Sequence, residues 1–311
     1  MWTISLSVLP IFLLLVAGNL LRRNGFPGSD FWHQADRVTY WVLFPSLLFF
    51  NTTTAPFDAD ILDSYAVALL GALFIAGIIS LVVTRLLKIP GAISGSIFQG
   101  ATRHNTFIAF AVAEYLFGAD GLLLAAVATS VLVPVTNLFC VTVLVGFQGA
   151  SGTVSLKRRL LQEIIRNPLL LAIAAGIFLN LVGIGPLPVV SDFAGLLSKA
   201  ALPFALLCVG AGLQIKAIHT GAKYVMIAGV IKMIVFPLVV AGTIIFTDLH
   251  GVAAMILIIY AAIPTASSGY ALAKQLGGDA EVMAGIITIQ TLISVITLPL
   301  SLTLASWYFL S

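Results

Sequence analysis

The chain has 311 residues, of which 60% are hydrophobic and only 9% charged, with a formal net charge of +3. A soluble domain carries roughly 25% charged residues, so this composition and a mean hydropathy of +1.12 exclude a water-soluble globule. The charge is too small and too dispersed to point to a nucleic-acid partner. Backbone groups in lipid must pair internally, which leaves helices or a closed barrel. The apolar runs are apolar all round rather than alternating, so they predict helices.

Ten spans are predicted, at about 2–21, 36–55, 62–86, 91–118, 120–147, 167–184, 192–214, 222–246, 251–276 and 280–309. Most match the roughly 20 residues that cross the hydrocarbon. The first run is followed, not preceded, by its charges, Arg22 and Arg23. A secretory signal has the opposite order, so this segment is expected to be a retained helix. Basic residues gather in alternate loops: Arg37 with the first, Arg85 and Lys88 at the third, Lys157, Arg158, Arg159 and Arg166 in the fifth, Lys216 and Lys223 at the seventh, Lys274 near the ninth. The intervening loops hold Asp58, Asp60, Asp120, Asp192, Asp248 and His250, and only Lys199 departs from the pattern. Lysine and arginine favour the cytoplasmic side. The sequence therefore predicts a multi-pass protein of the cytoplasmic (inner) membrane with both termini outside.

The polar, basic stretch 148–166, with Gly149, Ser151 and Gly152, reads as a cytoplasmic linker between two halves, 1–147 and 167–311. The halves resemble each other. Gly18 in LLLVAGNLL matches Gly176 in LAIAAGIFL, and at the same spacing Pro45 in FPSLLFFN matches Pro203 in LPFALLCVG. AEYLFGADG (113–121) matches AKQLGGDAE (273–281) at nearly the same offset. Five spans per half make the second half enter the membrane upside down, an inverted repeat of the kind found in secondary transporters. Cys140 and Cys208 both lie in apolar runs and form neither a metal spacing nor a disulfide framework. No metal or cofactor is expected.

Two spans are interrupted by polar residues at corresponding places. The fourth carries Gly95, Gly100, Arg103, His104, Asn105 and Thr106 near its centre. The ninth carries Pro264, Thr265, Ser267, Ser268 and Gly269. Proline removes a helical donor and clashes with the preceding turn. A half-helix N-terminus has unpaired N–H groups and about half a positive charge, which suits a carboxylate. The candidate binding site is therefore residues 103–107 and 263–269. A kink with serine or threonine back-bonds is the structural alternative.

The segments NTFIAFAVAEYLFG, RNPLLLAIAAGIFLN, LPFALLCVGAGL and AAIPTASSGYALAKQLGGD resemble the auxin efflux carrier family, in order and over nearly the whole chain. That family includes plant PIN carriers and bacterial carriers of small carboxylates. The resemblance implies an all-α fold of ten helices in two inverted five-helix repeats, with the fourth and ninth crossing as broken segments. It implies a scaffold of helices 1, 2, 6 and 7, a mobile core of helices 3–5 and 8–10, homodimerisation through the scaffold, and elevator-like alternating access. In the plant carriers the first crossover reads Pro-Asn-Thr, with the asparagine at the substrate carboxylate. Asn105 and Thr106 match its second and third positions, while His104 replaces the proline. Pro264 matches the second crossover proline. The long cytoplasmic loop of some plant members has no counterpart.

Asn105 is the leading candidate, since an amide offers two donors and an acceptor; its structural alternative is to tie the freed backbone of the break. Arg103 and His104 are candidates to attract an anion, and His104 to carry a coupling proton. Glu114 and Lys274 occupy matching places, as a pair, as gate residues or as snorkelling charges. Lys232 lies deep in the eighth span, where an ionisable group is a functional candidate; it is expected to stand in for a bound cation. Asn51 is a candidate for the opposite wall of the site. Asn137 and Gln290 are candidates for supporting the breaks or for joining helices. The expected function is secondary transport of a small carboxylate, without enzymatic activity: no GxxxxGK[ST] phosphate loop is present. The rivals are a sodium-coupled carrier of the bile-acid type, a membrane-embedded enzyme, and a channel or receptor.

Overall fold

The computed structural model describes residues 2–54, 62–147, 165–219 and 221–310. Asp58, Asp60, Gly149, Ser151, Gly152, Lys157, Arg158 and Arg159, and with them most of the predicted 148–166 linker, lie outside the described residues. Among the described residues every regular element is helical and none is a strand.

The chain opens with α1 (Trp2–Arg23). Next come α2 (Ser29–Val38), a π turn (Thr39–Leu43) and α3 (Phe44–Thr54), which run on as one rod. The apolar α4 (Leu62–Leu86) leads to the short α5 (Gly91–Thr102). Then α6 (Thr106–Phe147) runs for 42 residues but is bent sharply at Gly118, where φ is 59° and ψ −138°. A Cβ placed on Gly121 would collide with the carbonyl of Ala113. Residues eight apart in a straight helix stand roughly 12 Å from each other, so the chain folds back at Gly118. In the remainder, α7 (Pro168–Leu181) precedes α8 (Val190–Gly212), a 3-10 turn (Ile215–His219), and α9 (Ala222–Val230). A second π turn (Ile231–Val235) joins α9 to α10 (Phe236–Phe246). The chain ends with α11 (Gly251–Ala262), the eight-residue α12 (Ser268–Gln275) and α13 (Ala280–Phe309).

Among the described residues five stretches are long and apolar enough to cross a bilayer: Asp63–Leu86, Gly91–Phe147, Val190–Gly212, Ala222–Phe246 and Ala280–Phe309. The second has 57 residues, roughly 85 Å as a straight helix against about 30 Å of hydrocarbon. It fits only because it is cut at 103–105 and turned at Gly118. One predicted boundary is corrected. The second span begins at Ser29, not near 36, because SDFWHQADRV is a polar, amphipathic helix that an apolar-run criterion passes over.

Two close helix pairs dominate one part of the molecule. α1 packs along α8, and α3 along α7, with α3 also against α8. Glycines permit both approaches. A Cβ on Gly18 would collide with the Leu207 backbone, one on Gly210 with the Leu15 backbone, and one on Gly176 with the Thr52 side chain. Without a hydrophobic drive between helices in lipid, such small residues let dispersion contacts accumulate. The other part is built on α11, whose residues Ala253–Ala262 are all buried, between α6, α10 and α13. The short α5 lies among α4, α6, α9 and α13.

Candidate functional site

Both interruptions are true breaks. Residues 103–105 are non-helical, with Arg103 extended at φ −74° and ψ 157°. Residues 263–267 separate α11 from α12, with Ile263 extended at φ −72° and ψ 152°. The breaks meet. The backbone N–H of Asn105 donates to the Pro264 carbonyl at 2.8 Å. Gln290, fully buried on α13, joins both: its Oε1 accepts the Thr265 N–H at 3.0 Å, and its Nε2 donates to the Gly100 carbonyl at 2.9 Å and to that of Ala228 at 3.3 Å. Thr265 Oγ1 donates to the Gln99 carbonyl at 3.3 Å. Buried backbone groups need partners; here Asn105 N–H and the Gly100 and Gln99 carbonyls find theirs in the other half, and the Thr265 N–H finds Gln290 in its own.

A cavity of ≈ 640 Å³ reaches this junction. Its inner wall carries Arg103, His104, Asn105, Thr106, Ser267 and Ser268, with Thr136 and Asn137 facing from α6. It extends to the exposed Arg22 at the end of α1, past His33, Asp36 and Tyr40. The starts of both α6 and α12 border it. Asn105 caps α6, its Oδ1 accepting the Ile108 N–H at 3.2 Å.

Arg103 is the strongest charge in the inner wall. Its side chain is 8% exposed, and one Nη donates to Ser268 Oγ at 2.9 Å. Its Nε and other Nη are shielded from solvent and have no oxygen or nitrogen partner, with the buried Cys140 thiol beside the guanidinium. Among the described residues the sole ion pair is His250–Asp248, at the surface. An unpaired buried charged donor costs about 1–3 kcal/mol or more, and a planar guanidinium matches a carboxylate in a two-point fork. Nε2 of the buried His104 is likewise without a partner, and its ring stacks edge-on to Tyr260 at 5.4 Å.

Of the predicted residues, His104, Asn105, Thr106, Ser267, Ser268 and Asn137 gather at the cavity with Arg103. Pro264 and Thr265 are buried behind it as backbone partners. Asn51 stands apart from the lining and bonds back to Leu47 of its own helix at 2.8 Å. Glu114 and Lys274 are both exposed, and among the described residues neither forms an ion pair. Lys232 is wholly buried away from the lining. Sequence reasoning missed the α2 wall. His33, Asp36 and Tyr40 stand at i, i+3 and i+7, the spacing of one helix face, which is the signal that finds them.

A known family matches the sequence over nearly its whole length. Residues 3–302 match the family described as membrane transport protein. An uncharacterised transporter of Methanothermobacter thermautotrophicus is 25% identical over 302 residues, covering 94% of this chain and 96% of the relative. The chain therefore belongs to the membrane transport protein family, that of the auxin efflux carriers, and is a multi-pass membrane transporter.

Proposed function

We propose that the protein is a secondary carrier of a small organic anion, a mono- or dicarboxylate, with its binding site where the two breaks meet. One observation carries this reading: the Arg103 guanidinium lies against the cavity, buried and only partly bonded, beside the starts of α6 and α12. The carboxylate would meet the Arg103 guanidinium beside Ser268, the Asn105 amide and the hydroxyls of Ser267 and Ser268, with the Arg103 side chain turning to present its unpaired donors. The first N–H groups of the two helices add favourable potential.

The wider architecture is part of the same proposal. The ten predicted spans form two inverted five-helix repeats, whose fourth and ninth members cross as α5–α6 and α11–α12. The close pairs α1–α8 and α3–α7 support a scaffold of helices 1, 2, 6 and 7. The remaining helices form a core that carries the anion past the scaffold, driven by an ion gradient or by the anion's own gradient and the membrane potential. The protein is placed in the cytoplasmic membrane, both termini outside, as a homodimer through the scaffold. It performs no covalent chemistry.

The test is uptake of labelled mono- and dicarboxylates into proteoliposomes, with thermal-shift binding in detergent. Arg103→Gln should lose both binding and uptake by about a hundredfold, the worth of roughly 2.7 kcal/mol. Arg103→Lys keeps the charge without the fork and should retain a weak response. Undiminished saturable uptake by Arg103→Gln would remove the assignment.

A further inference from the structure

The lysine that departs from the charge pattern of the sequence, Lys199, lies on α8 (Val190–Gly212), exposed and outside the cavity lining. Among the described residues it forms no ion pair. The charge pattern places it with Asp192, Asp248 and His250, on the face away from the basic loops, where lysine is disfavoured.

Its counterpart in the first half explains it. Contacts between helices recur at the spacing that carries Gly18 to Gly176. A Cβ on Gly18 would collide with the Leu207 carbonyl, and one on Gly176 would come within 3.0 Å of the Phe49 carbonyl. Arg22 donates to the Ala211 carbonyl, and Asn180 donates to the Thr53 carbonyl at 3.2 Å. Asp36 lies beside Cys208 where both border the cavity, and a Cβ on Gly195 would lie 3.0 Å from the Phe50 ring. Up to Tyr40, at the start of the π turn Thr39–Leu43, the spacing is one residue greater, because a π turn takes up an added residue. Burial agrees: Trp32 and Ala35 fall on Ser191 and Ala194, and all four are buried. His33, Asp36 and Tyr40, the α2 wall of the cavity, then fall on Asp192, Gly195 and Lys199, with the same i, i+3, i+7 spacing. Arg22 falls on Asn180. The mouth by Arg22 has one fixed cation, Arg22, and one carboxylate, Asp36. At the matching place Arg22 becomes neutral Asn180 and Asp36 becomes Gly195, yet Lys199 and Asp192 restore one cation and one carboxylate.

We propose that Lys199 marks a second mouth of the anion pathway, on the face opposite Arg22, and draws the carboxylate to the site in the state that opens there. The inference rests on the carrier reading and its inverted repeat. Exchanging the conformations of two inverted halves closes one mouth and opens the matching one. A cation at such a mouth raises the local concentration of anions and their rate of entry. Asn180 has no charge to offer at the end of α7, so the ammonium of Lys199, on its flexible stem, does there what Arg22 does on the other face.

The experiment uses Lys199→Cys with Cys140 and Cys208 replaced by alanine, in membrane vesicles of each orientation. Uptake of a labelled carboxylate is measured far below saturation. At low salt Lys199→Cys should be about tenfold slower than its lysine-bearing parent, the lower end of what steering charges supply, and should melt like it. Two membrane-impermeant methanethiosulfonates of similar size are then applied from the face opposite Arg22. One adds a trimethylammonium group to the new thiol and should restore the rate; the other adds a sulfonate and should lower it further. Both effects should fade at 1 M salt, where screening acts beyond about 3 Å. Saturating carboxylate on that face should slow the labelling. Both adducts are made on one folded protein, so a folding defect cannot separate them. Labelling from the Arg22 face alone, or equal rates with the two adducts, would overturn the proposal. If the lysine-bearing parent takes up no carboxylate, the carrier reading has failed and the proposal falls with it; if the parent transports and the adducts transport alike, the proposal alone has failed.

Discussion

The amide N–H of Asn105 donates to the carbonyl of Pro264 at 2.8 Å, so the two breaks, far apart in sequence, close on each other's backbone. The side chain of Asn105 meanwhile caps its own helix. One residue thus holds the junction, starts α6 and faces the cavity.

Those roles separate by substitution. Asn105→Ala removes the cap and the amide together; it should cost about 1 kcal/mol and abolish uptake while the protein stays folded. Asn105→Ser keeps a capping oxygen and loses the amide. It should melt near the wild type yet transport poorly. If Asn105→Ser transports fully, the side chain serves the helix alone.

Gln290→Leu conserves bulk and removes three hydrogen bonds in a dry core. The Thr265 N–H and the Gly100 carbonyl are then left unpaired, at about 1–3 kcal/mol each. Its melting temperature in detergent should fall well below that of Gln290→Glu, which keeps an acceptor for Thr265. Equal melting of the two would show that the bonds add little.

Gly210→Ala tests the close pair α1–α8. The added methyl meets the Leu15 backbone, which no rotamer change relieves. Overpacking of this kind costs about 1–3 kcal/mol. The variant should melt lower, while Gly146→Ala, which meets nothing, should not.

The cavity's lining predicts one side of access to the site. The cavity links the exposed Ser267 to the exposed Arg22 at the end of α1. With Cys140 and Cys208 replaced by alanine, Ser267→Cys should react with a membrane-impermeant maleimide from the Arg22 side. A saturating carboxylate should slow that reaction. Equal rates from both sides would contradict the cavity's orientation.

The sequence made the long apolar helices legible because burial in lipid demands unbroken apolar runs. It also located both breaks, since Pro264 and the polar stretch at Arg103–Thr106 cannot sit in a lipid-facing helix. It did not reveal α2, where Asp30, His33 and Gln34 alternate with Phe31 and Trp32 and leave no unbroken apolar run. Nor did it reveal that Arg103 reaches Ser268, or that Gln290 holds both breaks. Those contacts join residues 25 to 190 positions apart, two of the three across the halves, and no local pattern encodes them. Asn51, which drew attention as a polar residue in an apolar run, stands outside the cavity lining and donates to the Leu47 carbonyl of its own helix.

The two π turns bear on the protein's history. Each immediately precedes a Phe-Pro pair, Phe44–Pro45 and Phe236–Pro237. At the spacing that matches Gly18 to Gly176, however, residues 39–43 correspond to 197–201, and 231–235 to 73–77. Both counterparts are regular α-helix. A π turn is a local widening that takes up added chain without breaking the helix. If the halves descend from one ancestral unit, these widenings were acquired separately, after duplication. One carries Tyr40 into the cavity wall and the other Lys232 into the core, so each widening sits where its own half places a distinctive polar side chain.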